Sequence, residues 1–279
     1  MYEEQFDHVL HLLNYNEKVK LTFALRKLDH FEEGEHIYNF ALSFQEVMIM
    51  ILDRIAPDKD LYLCDWYDRE QENDEELIHI ARILYAIKNK LLDEFIMNEL
   101  NLDMSKVSEE LEQRFIRPLN DFNYTQEEYA RLPIAQAQQE SRQAVCLFAD
   151  LLAYIEHTRQ QLFEAYEYQL AQNILPARLA DILRSTRKLP PQSSLQAVVL
   201  ERVRITSLTI HELTFTITGR LTFDRHAAQA EDSAGVTWYR FRLTTYDSSD
   251  YPDTDITNIP RLQWIGRERR TIQGELLKC

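Results

Sequence analysis

The sequence predicts an α+β protein: a mainly α N-terminal multi-helix bundle followed by a small antiparallel β domain. Before residue 190 there is a single glycine, Gly34, and apolar residues recur every three or four positions. Beyond residue 195 the repeat shortens to two, as a strand face requires. Between these regions runs Leu189-Pro190-Pro191-Gln192-Ser193-Ser194, whose prolines and serines make it the best linker in the chain. The expected division is an acidic helical domain over 1–188 and an antiparallel β domain over 195–279. Charge changes with the repeat: residues 1–177 carry 16 Lys and Arg against 34 Asp and Glu, a formal −18, and residues 178–279 carry 15 against 12, or +3, which together make the −15 of the chain.

Residues 6–15 and 17–30 read as two short helices separated by the turn Asn14-Tyr15-Asn16. Over 35–55, Ile37, Phe40, Phe44, Val47, Ile51 and Ile55 step by three or four onto one helix face, and Pro57 ends the run. After the aromatic connector 61–67, Asn73 and Glu76 form a capping-box-like start to a helix reaching about Leu100. Its expected core face is Leu77, Ile80, Leu84, Ile87, Leu91 and Phe95. A shorter helix over 105–116 is expected to stop at Pro118. Thr125 and Glu128 repeat the cap signal, and Pro133 opens a segment without Gly or Pro that continues to Leu175.

That longest helix has a heptad-like seam of Ile134, Ala137, Ser141, Val145, Phe148, Leu152, Ile155, Arg159, Leu162, Tyr166 and Leu170, able to pair within the chain or across a dimer. Arg159 in the seam either carries its head out to solvent over an apolar stem or meets a carboxylate. A short basic helix over 178–188 precedes the linker.

In the C-terminal part, residues 211–224 alternate most cleanly, with Leu213, Phe215, Ile217, Leu221 and Phe223 on one face and threonines with Arg220 on the other. Further strands are expected over 197–205, 236–246, 261–265 and 271–277. With the apolar sides inward, Arg202, Arg204, Arg220, Trp238, Arg240 and Arg242 share the outward face. Guanidinium forks grip phosphate or carboxylate groups bidentately and Trp offers a stacking platform, so this face is the main candidate for binding nucleic acid or another anionic ligand. Arginine and threonine are also ordinary residues on a solvated sheet face.

A second candidate is a metal site among His8, His11, His30 and His36, although their spacing follows no metalloenzyme signature. The aspartates of 247–255 lack the glycine and final glutamate of a calcium loop, and the acidic run over 65–76 reads as a hydrated connector and helix start. Cys64, Cys146 and Cys279 show no CxxC spacing, which points to free thiols in a reducing compartment, with Cys146 in a core. Hydrolase elbows, phosphate-binding glycine loops and dinucleotide fingerprints are absent, so no cofactor is expected.

The gaps from Arg204 to His211 and from Arg220 to His226 resemble the arginine-then-histidine pair of helical HEPN-type nucleases. In that family the pair lies on a helix, whereas both instances here fall in strand-patterned sequence, so no activity carries over. The acidic N-terminus and the lack of a long apolar run exclude a basic leader and a membrane span, leaving a cytoplasmic protein as the expectation. On these grounds the sequence favours a non-enzymatic adaptor, inhibitor or immunity/antitoxin-like protein whose acidic helical surface meets a basic or helical protein partner. The alternative is a nucleic-acid or anionic-ligand binding module working through the arginine face.

Overall fold

A computed structural model describes residues 9–28, 34–68, 75–120, 122, 126–175, 193–209, 212–225, 236–246, 263–270 and 276–277. The expected basic helix over 178–188, the linker residues 189–192, the aspartate loop 247–255, and both His8 and His30 lie outside them. The chain divides into two compact units, Met1–Met97 with Leu102–Gln161, and Asn98–Asn101 with Leu162–Cys279.

The N-terminal part is mostly helical. A 3-10 turn at Leu10–Leu12 stands where a helix over 6–15 was expected, and α1 follows as Tyr15–Leu28. A capping box sets the boundary: Asn14 Oδ1 accepts the Glu17 backbone N–H at 3.0 Å, and Glu17 Oε2 accepts the Asn14 N–H at 2.8 Å. Next come α2 (Gly34–Ile55), the short α3 (Asp58–Leu61), α4 (Glu75–Lys88) and α5 (Asp93–Glu99). Helices α6 (Met104–Leu111), α7 (Arg117–Asn120), α8 (Gln126–Arg131) and the 36-residue α9 (Ile134–Gln169) complete the series.

Apolar spacing places the core where expected on α2, whose Ile37, Phe40, Phe44, Val47 and Ile51 are all buried. Phe44 stacks on Phe40 at 5.6 Å and meets Phe148 of α9 edge-on at 5.8 Å. The α9 seam is buried from Ala137 through Ile155, so this stretch packs within the chain. Ile134 at its start is exposed.

Two expected features give way to local backbone chemistry. The helix expected to reach Leu100 breaks after Lys88 because Asn89 adopts φ 53°, a left-handed conformation that asparagine tolerates at a helix end. The Asn89 Oδ1 atom then accepts the Lys90 N–H at 2.9 Å. Burial also shifts round α4: Ile83, Ala86 and Ile87 are buried, whereas Ile80 and Leu84 are half-buried. Pro118 does not stop the chain either. A π-helical turn, Glu112–Ile116, moves hydrogen bonding one residue along, with the Arg117 N–H donating to the Glu112 carbonyl, and α7 then carries Pro118 near its start.

In the second unit, α9 passes through a π-helical turn, Leu170–Ile174, that packs on the first strand. Strands β1 (Ser193–Leu208), β2 (Glu212–Arg225), β3 (Val236–Tyr246), β4 (Gln263–Arg270) and β5 (Leu276–Leu277) are hydrogen-bonded in chain order. All four pairings are antiparallel. On β1 the alternation is direct, with Val203 and Ile205 buried and Arg202 and Arg204 exposed.

If left-handed backbone at Asn89 is what ends α4, Asn89→Ala should be about 1 kcal/mol less stable than Asn89→Gly, since both lose the amide and only alanine is strained there. Urea denaturation followed by circular dichroism reads the difference, and equal stabilities would assign the break to something else.

Candidate functional site

Sheet register assembles the arginine candidates. Arg204 pairs with Thr216 and Thr216 with Arg242, while in the neighbouring row Arg202 pairs with Thr218 and Thr218 with Arg240. A third row runs Val199, Arg220, Trp238 and Glu268. Directly opposed residues of antiparallel strands share a face, and 216, 218 and 220 alternate along β2. All six candidates, Arg202, Arg204, Arg220, Trp238, Arg240 and Arg242, therefore fall on one face of the sheet. A bulge between Leu200 and Arg202 keeps β1 in phase: it inserts one residue, so odd-numbered Val199 and even-numbered Arg202 reach the same face. Neighbouring arginines along a strand are then about 7 Å apart and rows on alternate strands about 10 Å apart.

β1 is an edge strand, and a carboxylate covers part of its edge. Glu167, late in α9, accepts the Ile205 backbone N–H at Oε1 over 2.6 Å. Burial raises the Glu167 pKa, while the Ile205 N–H and the positive fields of Arg204 and Arg202 oppose the rise.

Of the histidines, His11 Nε2 lies 2.8 Å from Glu156 Oε1, and His36 sits exposed on α2. No group of three or more His, Cys, Asp or Glu is arranged to hold a metal among the described residues. His8 and His30 lie outside those residues, so only His11 and His36 can be placed.

Sequence reasoning missed a buried polar cluster at the end of α4. Lys88 is 1% exposed; its Nζ donates to Asp93 Oδ1 and lies 4.2 Å from the Trp66 ring centre. Desolvation lowers the Lys88 pKa against the pull of Asp93. The Asn89 carbonyl accepts from Trp66 Nε1 at 2.8 Å and faces the Cys64 thiol at 3.9 Å. Burial pushes Cys64 up to about 12 and Tyr85 up to about 12. Both therefore favour the protonated form at neutral pH, which works against a thiolate at Cys64. The signals were present in Asn89, suited to a left-handed stop, and in Asp93-Glu94, suited to a fresh helix start, but the unbroken apolar spacing masked them. In α9, Arg159 reaches the surface yet is crowded by protein, and desolvation lowers its pKa while Tyr85 opposes the shift.

Residues 10–148, just under half of the chain, match a family described as predicted pPIWI-associating nuclease. Comparisons with curated proteins and with solved structures returned no match. The family match overturns the expectation of a non-enzymatic adaptor, inhibitor or immunity/antitoxin-like protein, because the helical region assigned to that role is similar to a family described as nuclease. Acidity misled here, since net charge reports on solubility and encounter rather than on chemistry. No helix among the described residues is long and apolar enough to cross a membrane.

Cys64 also sets a pH response. Its unfolded value is 9.0 and its folded value about 12, so the contribution is complete below pH 9 and is lost as pH rises toward 12. Wild type is expected to lose stability relative to Cys64→Ala across that interval, and the Cys64 thiol to resist iodoacetamide at pH 8 until urea unfolds the chain. Peptide mass spectrometry and pH-dependent urea curves read both effects; rapid native alkylation of Cys64 would contradict the assignment.

Proposed function

We propose that this chain is a nuclease-like protein acting on the phosphodiester backbone of nucleic acid, with the arginine face of its sheet holding substrate phosphates. The observation that carries the reading is the similarity of residues 10–148 to a family described as predicted pPIWI-associating nuclease. The register that aligns Arg202, Arg204, Arg220, Arg240 and Arg242 supports the binding half of the reading, because guanidinium groups at spacings of about 7 and 10 Å suit successive phosphates. Trp238 in the Arg220 row adds a ring for stacking on an unpaired base. In this reading the chain comprises an acidic helical domain over 1–188 and an antiparallel β domain over 195–279. A cytoplasmic setting accords with the free thiols at Cys64 and Cys146.

The test is incubation of the full chain with end-labelled single- and double-stranded DNA and RNA, with and without divalent cations, alongside anisotropy titrations at several salt concentrations. Cleavage is expected of at least one polymer. Affinity should fall steeply with salt, and Arg240→Ala with Arg242→Ala should flatten that dependence by roughly 0.7 in log–log slope for each phosphate of a single strand left without its arginine. Wild-type protein that neither binds nor cuts any of the four polymers would overturn the proposal.

A further inference from the structure

Helix α1 departs from its surroundings in charge and in exposure. The chain carries −15 overall, yet the charged residues of Tyr15–Leu28 are Lys18, Lys20, Arg26 and Lys27 with one acid, Glu17, which is fully buried. Glu17 is spent internally: it closes the capping box with Asn14 and accepts from Arg54 Nε at 2.5 Å. The outer face of the helix is therefore purely basic.

Large apolar side chains stand on that same face. Tyr15 is 80% exposed, Val19 50% and Phe23 62%, at intervals of four residues, with Lys20 and Arg26 exposed among them. A repeat of four follows one side of a helix, so the two rings stand about 12 Å apart along the axis. Lys27 Nζ lies 4.9 Å from the Phe23 ring centre and donates to Ser43 Oγ on α2 at 2.9 Å, which fixes a cation beside the ring. Several other cations of this unit are neutralised by carboxylates, Arg82 by Asp53 and Asp58, Lys88 by Asp93 and Arg117 by Glu112. Among the described residues Lys18, Lys20 and Arg26 have no such partner.

We infer that the exposed face of α1 is a docking surface for single-stranded nucleic acid, with bases stacking on Tyr15 and Phe23 and phosphates held by Lys18, Lys20, Arg26 and Lys27. Solvated aromatic rings between unpaired cations match the two demands of a single strand, whose bases offer π-faces and whose backbone offers evenly spaced negative charge. A duplex hides its base faces and would leave the rings without a role. The inference rests on the nucleic-acid reading above and gives it a second contact surface, inside the segment 10–148 that carries the family similarity.

The experiment titrates the full chain against fluorescein-labelled oligo-uridine and oligo-thymidine by anisotropy. Wild type is compared with Tyr15→Ala/Phe23→Ala, with Lys18→Gln/Lys20→Gln/Arg26→Gln, and with Arg240→Ala/Arg242→Ala. Because the substituted α1 side chains are at the surface, circular dichroism should be unchanged. Removing the rings is expected to weaken binding about fivefold or more for each ring removed, with little change in salt dependence. Removing the α1 charges should flatten the salt dependence. If wild type binds but both α1 variants match it, the α1 surface is wrong while the function stands on the sheet arginines. If wild type binds neither oligonucleotide, both proposals fall. Two further results would overturn the α1 assignment with oligonucleotide affinity intact: ring-dependent binding to phosphatidylserine vesicles, or a ring-dependent dimer seen by light scattering.

Discussion

Burial of the Glu17 carboxylate is the constraint on which the N-terminal hairpin depends. A carboxylate with no exposed surface is tolerated only when its lone pairs are used, and here they accept from the Asn14 N–H and the Arg54 guanidinium, whose Nη2 also donates to the Leu12 carbonyl at 2.9 Å. One side chain thus fixes the start of α1, the end of α2 and the turn that precedes them. Removing either partner would leave the other charge in a place built for a pair. The same arrangement withdraws the only acid of α1 from solvent, so the stability of the hairpin and the positive sign of its outer face share a cause.

The sheet solves a comparable problem by register. A side-chain repeat of two means that a slip of one residue would send every arginine of the slipped strand to the opposite face. The β1 bulge between Leu200 and Arg202 supplies the odd residue that lets Ala197 and Val199 before it and Arg202 and Arg204 after it serve the same face. The counterpart bulge between Arg240 and Phe241, opposite Gly266 and Trp264, absorbs a residue on β4. Bulges raise local twist, and both stand beside arginine rows.

Much of the helical architecture was legible because burying one face imposes a repeat on the sequence. The α2 core, the α9 seam through Ile155 and the start of α9 after Pro133 follow directly from that repeat. What the sequence concealed were events without periodic character: the left-handed residue Asn89, the π-helical turn before Pro118, and the burial of Glu17 and Lys88. Charged residues are read as solvated by default, and only the placement of a partner far along the chain, such as Arg54 for Glu17, reverses that default. Alternation alone proposes the six candidates of the arginine face, whereas the register that lines them up depends on the bulge, which no repeat announces. Tyr15, Val19 and Phe23 were hidden for the opposite reason, since an apolar residue in a helix is ordinarily assigned to a core.

An acidic protein can still hold a polyanion, because screening divides long-range from short-range charge. At physiological salt the Debye length is about 8 Å, so the distant carboxylates of a chain with net charge −15 chiefly slow the encounter. Retention depends on charges within that range of a phosphate. By this criterion two groups of cations among the described residues of the helical unit stand apart. Arg54, Arg82 and Lys88 are matched by carboxylates within hydrogen-bonding reach, so a phosphate could engage them only by displacing an acid already in place, and for Arg54 that acid is the buried Glu17. Lys18, Lys20 and Arg26 carry no such penalty, and the rings beside them add a contact that salt does not screen. Discrimination between these populations, more than the total charge, decides where a nucleic acid can bind.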